Sequence, residues 1–373
     1  MAKAFEVRVS GRNLILGLLL TVVPVSLLAL YASTTAGRNA ERAAGRQLQT
    51  VAESVAAQVR ERLRAKVVEA ALMASNAAVL DIVQRANERF QRKPLEEVRA
   101  DLETQDKRWD TPEGQDLVEQ ALSNPAAQAL RRQLTVDPSF LRVTVTDAEG
   151  GTVAATHKTL DYYQADEEYW QDIYAFGRGA VSLTDILYDE ATKSFYIGVG
   201  LPVVNENNKF IGTLDALVDV SAMFPLVRRA DVAEGTVAIV KRDASIIASS
   251  DEASLADDAH SPEFSAINDA GSRFEGHGSG YMQASFPQRE RKLIAFADTG
   301  LKDEFRSLDW AVVVSQPASE AFGTSGMQLV IMGIALLSLA LVVFFAVYFM
   351  LHRQSEIEEI EEEMSSPVRA MSR

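Results

Sequence analysis

Two long apolar runs bracket the middle of this 373-residue sequence, and they limit its possible architectures more than any other feature. They cover residues 13–31 and 327–351, and each approaches the ~20 residues that a helix needs to cross a bilayer. Positive side chains precede the first run (Lys3, Arg8, Arg12) and follow the second (His352, Arg353). Because cytoplasmic flanks are enriched in Lys and Arg, we expect both termini inside and residues 32–326 outside the cytoplasm.

The first apolar run has a second interpretation, as a cleaved secretory signal. Small residues stand near its end, in the segment ALYAS at residues 29–33, as they do before a cleavage site. The run is long for the apolar part of a signal, however, and a helix-favouring sequence continues directly out of it. We therefore expect an uncleaved transmembrane helix, with residues 1–12 remaining as a cytoplasmic N-terminus.

Composition and charge argue against several classes of protein. The formal net charge of -15 disfavours nucleic acid as a partner, because phosphates attract Lys and Arg. There are no cysteines, which excludes disulfides, thiolate metal sites and a cysteine nucleophile. The four histidines are scattered, and no acid–base pair accompanies a nucleophile. We expect neither a metal, nor another cofactor, nor an enzyme activity.

Residues 35–90 contain no proline and predict one long amphipathic helix that continues the first apolar run. Steps of three and four separate its apolar residues Leu48, Val51, Val55, Val59, Leu63 and Val67. This stripe packs either on its own domain or along a second copy of the chain, and the sequence favours neither. After Pro94, residues 95–134 predict shorter helices.

From Phe140 onward the pattern changes to strands, in which apolar residues alternate with polar ones. Two strands joined by an acidic turn occupy residues 140–156, and a similar arrangement recurs at residues 236–250. Further strands are predicted at residues 281–286, 292–298 and 310–316. We therefore expect an α+β fold with two successive units, each built on an antiparallel sheet.

Residues 161–220 combine clustered aromatic and acidic residues with the clearest hairpin signal of the chain. Strands are predicted at residues 195–204 and 210–220, joined by an asparagine-rich turn. The aromatic side chains just before them, including Tyr169 and Trp170, are expected to lie over a sheet face and enclose a small ligand.

The order of apolar run, long helix, two sheet units and apolar run resembles that of bacterial sensors with a double Cache domain, which consists of two PAS-like units. The resemblance covers residues 38–322 and is carried by VTDAEGGTVAATHKTLDYYQADEEYWQDI, GLPVVNENNKFIGTLDALVDV and SLDWAVVVSQPASEAF. It implies an extracytoplasmic ligand-binding domain of a homodimeric chemoreceptor or sensor kinase in the bacterial inner membrane. The distal unit is expected at residues 136–228 and the proximal unit at residues 234–318.

The resemblance also implies a ligand pocket in the distal unit. Many amino-acid-binding members carry an arginine two residues before a Trp-Tyr pair, but here that position is Glu167 and the pair is reversed. Because a guanidinium normally holds a ligand carboxylate, an acidic and aromatic pocket favours a cationic ligand, an amine or an amino acid. The predicted binding residues are Tyr163, Glu167, Tyr169, Trp170, Asp185, Tyr188, Asp189, Asp215 and Asp219. In the alternative interpretation, residues 166–168 are a solvated charge run and Trp170 belongs to the core.

Residues 352–373 form a short acidic tail that resembles the start of a HAMP linker. Ile357, Ile360 and Met364 lie at helical spacing among glutamates, which is typical of a coiled-coil seam. We expect a separate cytoplasmic signalling partner to contact this tail, although a truncated receptor would carry the same residues. The competing function for the whole chain is that of an anchored scaffold subunit of an envelope complex, which binds no small molecule.

Overall fold

The computed structural model describes residues 11–189, 194–230, 232–251, 259–271, 277–287, 291–322 and 331–348. The chain divides into two compact units, Gly45–Pro317 and the terminal segments Met1–Ala44 with Ala318–Arg373. The acidic tail, with the predicted seam at Ile357, Ile360 and Met364, lies outside the described residues.

The N-terminal helix α1, Gly11–Ala74, contains the first apolar run and continues far beyond it. The prediction of one helix up to residue 90 is wrong, because α1 stops and a second helix, α2, spans Ala77–Glu88. Asn76 causes this break: its backbone is extended, and its side chain accepts the N–H of Ala78. Asparagine is among the preferred residues for starting a helix in this way.

Among the described residues, two helices are long and apolar enough to cross a membrane, Leu19–Ala74 and Ile331–Tyr348. Within the terminal unit they are joined by a hydrogen bond between the hydroxyls of Ser26 and Ser338, which lie 3.2 Å apart. Hydrogen bonds between side chains of neighbouring helices contribute to helix association in lipid. These apolar helices suggest a membrane protein, and the orientation of its termini stays a prediction.

In the unit Gly45–Pro317, three helices follow α2 before the first strand. They are α3, α4 and α5, at Leu95–Trp109, Gln115–Ser123 and Pro125–Val136. Trp109 anchors them: its ring is buried against Val98, Leu102 and Ala121, and its N–H donates to the carbonyl of Thr159 at 2.9 Å.

The distal sheet follows and is antiparallel throughout. Its strands are β1 Phe140–Asp147, β2 Thr152–Ala155, β3 Ser182–Leu183, β4 Leu187–Asp189, β5 Ser194–Val204 and β6 Phe210–Asp219, in the order β2-β1-β6-β5-β3, with β4 also paired to β5. The predicted hairpin is confirmed as β5–β6. At its turn, the side chain of Asn205 accepts the N–H groups of Asn207 and Lys209. A short helix, α6 Glu168–Tyr174, lies between β2 and β3 in the chain.

The proximal sheet confirms the second predicted unit. Its strands are β7 Thr236–Lys241, β8 Ile246–Ser249, β9 Ser279–Ser285, β10 Arg291–Asp298 and β11 Trp310–Pro317, in the order β8-β7-β11-β10-β9. Helix α7, Phe224–Arg229, precedes this sheet, and α8, Pro262–Asp269, packs on it through the buried side chains of Phe264 and Ile267. The short helix α9, Ala318–Phe322, follows β11 in the terminal unit.

Candidate ligand cavity

A cavity of about 450 Å³ lies over one face of the distal sheet, and we refer to it as the ligand cavity. Its volume falls within the range of small-molecule sites, which is roughly 300–1,000 Å³. The strands β1, β5 and β6 supply its floor, α6 and the segment before it supply its roof, and the β3–β4 region supplies a side wall.

The register of the sheet brings opposite charges together on the floor. Arg142 of β1 lies opposite Leu217 of β6, and Thr144 lies opposite Asp215. Because side chains alternate between the two faces of a strand, all four of these side chains face the cavity. Arg142 and Asp215 are therefore diagonal neighbours on one face, within reach of the same small ligand.

A glycine keeps the floor open beside Asp215. Gly198 of β5 lies opposite Leu217, and a Cβ built on it would lie 2.9 Å from the hydroxyl oxygen of Thr184 and 3.4 Å from Asp215 Oδ1. Any side chain at position 198 would therefore fill the space in front of the Asp215 carboxylate.

The roof is polar and largely acidic. Its lining residues are Thr159, Leu160, Asp161, Gln164, Glu167, Glu168, Tyr169 and Asp172. The Tyr169 hydroxyl donates to Gln164 Oε1 at 2.5 Å, and the Gln164 amide donates to the carbonyl of Asp161 at 3.0 Å. Burial, followed by the charge of Asp215, raises the pKa of Tyr169 above its usual value, so its hydroxyl stays a protonated donor.

The side wall is attached to the proximal sheet. Asp185, which lines the cavity, lies 2.7 Å from the Lys241 ammonium at the end of β7. It also accepts the indole N–H of Trp310, the first residue of β11, at 3.1 Å. The hydroxyl of Ser307 donates to the carbonyl of Leu183 on the same wall. The side wall therefore contacts two strands of the proximal sheet directly.

Burial shapes the charges of the floor. It raises the pKa of the Asp215 carboxyl to about 7, and the nearby Arg142 opposes this shift. Arg142 Nε is buried and has no hydrogen-bond partner among the described residues. The floor therefore offers a half-buried arginine whose Nε is an unused donor, beside a carboxyl group that changes its charge near neutral pH.

Four of the nine predicted binding residues line the cavity: Glu167, Tyr169, Asp185 and Asp215. Trp170 is instead a core residue, as the alternative interpretation expected. Its indole N–H donates to the Thr146 hydroxyl at 3.0 Å, and its ring stacks on Tyr174 with the centroids 4.9 Å apart.

The other four predicted residues lie elsewhere. Tyr163 packs against the helical cluster around Trp109. Tyr188 is partly exposed on β4, with its ring centroid 5.0 Å from that of Phe195. Asp219 accepts the N–H of Ser221 at 2.7 Å and does not line the cavity, and the side chain of Asp189 lies outside the described residues.

Sequence reasoning missed several cavity residues, among them Asp161, Gln164, Asp172 and, most important for the chemistry, Arg142. The prediction looked for an arginine just before the aromatic pair, whereas the structure supplies a guanidinium from the first strand. A signal was present, because Arg142 interrupts the run Phe140–Asp147, whose other residues are mostly buried. A charge inside such a strand requires a partner or a ligand, since an isolated buried charge is costly.

Comparisons with known proteins agree with this fold. The sequence matches the family model of the Cache domain, dCache_1, over residues 36–325. The ligand-binding domain of the Campylobacter jejuni chemoreceptor Tlp3 in complex with 4-methylisoleucine has a TM-score of 0.51 at 12% identity, covering 77% of this chain and 95% of that chain. The sensory domain of the same chemoreceptor with isoleucine bound has a TM-score of 0.50 at 12% identity, covering 79% and 98%.

A third similar structure is the ligand-binding domain of the Pseudomonas aeruginosa amino acid chemoreceptor PctB in complex with L-Arg. It has a TM-score of 0.42 at 14% identity and covers 75% of this chain and 97% of that chain. No match was found among curated protein sequences. Structural likeness at such low identity concerns the fold alone, but the family model covers most of the sequence. The chain therefore belongs to the Cache domain family, in its dCache_1 form.

Proposed function

We propose that this protein is a membrane-anchored sensor whose ligand cavity binds an amino acid with a basic side chain, such as lysine. The observation that carries this proposal is the pair Arg142 and Asp215 on the floor of one cavity. A guanidinium holds a ligand carboxylate, and a neighbouring carboxylate holds the α-ammonium group. This zwitterion site replaces the amine site that the sequence favoured, because Arg142 can hold a carboxylate.

The preference for a second positive charge rests on the acidic roof. Asp161, Glu167, Glu168 and Asp172 line it, whereas Asp185 on the side wall is paired with Lys241. Arg142 alone does not balance these carboxylates, so a ligand side chain with an ammonium group lowers the electrostatic free energy of the complex.

Thermal unfolding of the full-length protein in detergent tests this function. A ligand that binds only the folded state raises the melting temperature in proportion to its affinity and concentration. We expect the largest increase with L-lysine, a smaller one with L-norleucine, which lacks the side-chain ammonium, and none with L-glutamate. If no amino acid, amine or carboxylate stabilises the protein, the result would contradict the sensor proposal and favour the competing function, an anchored scaffold subunit.

Lysine affinity is expected to rise with pH up to about 7 and then to level off. Burial raises the pKa of Asp215 to about 7, and only its ionised form attracts the ligand ammonium. Below that pH, affinity changes by up to about tenfold per pH unit, because binding must displace one proton. Besides Asp215, the charged side chains that line the cavity are Arg142, Asp161, Glu167, Glu168, Asp172 and Asp185.

Calorimetric titration between about pH 5 and pH 8 measures this dependence. Asp215→Asn should bind lysine weakly at every pH and lose the slope, and an unchanged slope in this variant would contradict the assignment. The same pKa shift predicts that the stability of the ligand-free protein falls as pH rises from about 4 to about 7. In that window the folded state keeps a proton that the unfolded chain releases.

We further propose that ligand occupancy reaches the second apolar helix through Asp185, Trp310 and β11. The contacts of Asp185 with Lys241 and Trp310 support this route, and among the described strands β11 is the last before that helix in the chain.

Lysine should slow amide hydrogen exchange in β7 and β11 of the wild type. In Lys241→Gln, which changes no cavity-lining residue, we expect this slowing to diminish while lysine affinity changes less than about threefold. The slowing of exchange should persist in the control variant Asp172→Asn. If it also persisted in Lys241→Gln, the proposed route would be contradicted.

A second copy of the chain is the proposed partner of α1. Val68 and Leu72 lie one turn apart on this helix and are 60% and 69% exposed, although both are large and apolar. A seam between two copies of α1 would bury them. We expect Val68→Glu with Leu72→Glu to shift a dimer in detergent towards monomer, whereas Gln58→Glu on the same helix should not. Equal self-association of both variants, measured by analytical ultracentrifugation, would count against this seam.

The remaining parts of the proposal concern topology and output. Both termini are placed in the cytoplasm of a bacterial cell, with the Cache domain outside the inner membrane, on the basis of the positive flanks of the two apolar runs. A separate cytoplasmic partner is proposed for the acidic tail because its glutamates repel one another in a homodimeric seam and attract a basic helix.

A further inference from the structure

A second cavity, of about 380 Å³, lies on the helical side of the distal unit, and we refer to it as the helical cavity. Residues of α2, α4 and β2 enclose it, together with Asn124 and Tyr162. Within the part of the chain that the structure describes, it shares no lining residue with the ligand cavity. Its volume suits a small organic molecule, and nothing in the proposed amino-acid site uses it.

The charge at the helical cavity is opposite to that at the ligand cavity. Arg85 of α2 and Arg89, the residue that directly follows this helix, both line it. Among the described residues, none of its other lining side chains is charged. The chain as a whole carries a net charge of -15, so a cavity with only positive side chains is exceptional within it. Arg85 also forms an exposed ion pair with Asp81 of α2, whose Oδ1 lies 3.0 Å from its Nε and Nη2, so a ligand anion shares this guanidinium with Asp81.

Several contacts hold the side chain of Arg89 at this cavity, one of them with Tyr162. Its Nε donates to the carbonyl of Ala86 at 3.2 Å, and its guanidinium lies 5.6 Å from the ring centroid of Phe90. Its Nη2 lies 3.9 Å from Asp147 Oδ2, which is too long for a hydrogen bond. The side chain of Arg89 is nevertheless half exposed, so it can donate to a ligand from the cavity side.

Asp147 explains why the second arginine stands at this position. Its side chain is completely buried, Oδ1 accepts the N–H groups of Glu149 and Gly151, and Oδ2 has no hydrogen-bond partner among the described residues. Arg89 gives this carboxylate a nearby positive charge without a direct bond. Its hydrogen-bond donors are therefore not used up by Asp147.

The walls define the rest of the ligand. Besides the two arginines, the lining is partly apolar, with Ile82, Ala86, Leu117, Ala121 and Val153, and partly neutral and polar, with Gln120, Ser123, Asn124, Thr152 and Tyr162. Two guanidinium groups match the geometry of a carboxylate, and apolar walls accept a short hydrocarbon chain. We propose that the helical cavity binds a small organic monocarboxylate, with its carboxylate between Arg85 and Arg89 and its hydrocarbon part against Ile82, Leu117 and Val153.

Butyrate is the probe that tests this site, titrated by calorimetry into the full-length protein in detergent. Butylammonium and 1-butanol, which have the same chain length without the negative charge, should not bind there. We expect Arg85→Gln and Arg89→Gln each to weaken butyrate binding about tenfold or more, because each removes a charge-assisted contact. Arg132→Gln, which changes an exposed arginine of α5, is the matched control and should leave butyrate binding unchanged.

Two further measurements separate this site from the ligand cavity and from misfolding. Arg85→Gln leaves the surroundings of Asp147 intact, so it provides the decisive result if Arg89→Gln does not fold. L-lysine binding by Arg85→Gln should equal that of the wild type, whereas loss of both ligands would indicate a structural defect. The proposal is overturned if butyrate does not bind the wild type, or if its binding depends on Arg142 and not on Arg85.

Discussion

Arg142→Gln is expected to weaken L-lysine binding by about 100-fold, the largest effect on affinity that we predict. Loss of a charge-assisted hydrogen bond costs about 1.5–3 kcal/mol, which already corresponds to roughly tenfold or more. The substitution also removes the positive charge that favours ionised Asp215, so the pKa of this carboxyl rises further from about 7. At neutral pH the variant therefore loses the partner of the ligand carboxylate and weakens the partner of the ligand ammonium.

Two further variants make this prediction specific. Arg142→Lys keeps the charge but not the planar pair of donors, so its lysine affinity should lie between those of the wild type and Arg142→Gln. Arg132→Gln should bind as the wild type does. The ligand-free Arg142→Gln protein should stay folded, because Asp215 can take up a proton instead of remaining an unpaired buried charge. Wild-type affinity in Arg142→Gln, measured calorimetrically, would refute the assignment of this residue.

Trp170→Ala should lower the free energy of unfolding by about 3–5 kcal/mol, as expected when a large aromatic side chain is deleted from a core. Trp170 is 5% exposed, stacks on Tyr174, and meets Phe210 edge to face with the centroids 6.3 Å apart. Removal of its indole also deprives the Thr146 hydroxyl of a donor at 3.0 Å. Chemical denaturation of the full-length protein, followed by the unfolding of the Cache domain, measures this loss.

A matched pair of conservative variants separates packing from binding at this helix. Trp170→Phe should reduce stability by about 1–3 kcal/mol, because a buried hydrogen bond is lost, while lysine affinity stays within about twofold. Tyr169→Phe should weaken lysine binding more than it lowers stability, since the hydroxyl of Tyr169 lies at the cavity and bonds to Gln164. If Trp170→Phe abolished binding without loss of stability, the sequence-based placement of Trp170 in the pocket would be correct instead.

The fold was largely predictable because its signals are local. The two apolar runs, the period-two strands and the asparagine-rich turn of β5–β6 each depend on a few consecutive residues. The break between α1 and α2 was missed although Asn76, a common helix-starting residue, marks it. The apolar spacing continues in register across the break, and a periodic pattern alone therefore does not reveal it.

The ligand cavity was less predictable because its composition depends on register and helix rotation. Tyr169 and Trp170 are adjacent in the chain, yet α6 directs one to the cavity and the other to the core. Asp215 and Asp219 both lie on β6 and face the same side, but only Asp215 lies under the roof. Arg142 precedes Asp215 by 73 residues in the sequence, and the pairing of β1 with β6 brings the two together. Composition and spacing do not specify this pairing.

The central claim is that one ligand engages Arg142 through a carboxylate and Asp215 through an ammonium group. Calorimetric titration of the full-length protein with L-lysine, cadaverine and 6-aminohexanoate tests it most directly. Cadaverine lacks only the carboxylate of lysine, and 6-aminohexanoate lacks only its α-ammonium group. Our account predicts that each truncated compound binds at least about tenfold more weakly than L-lysine, since each forfeits a charge-assisted contact. Cadaverine binding as tightly as L-lysine would contradict the account, because the ligand would then make no use of Arg142.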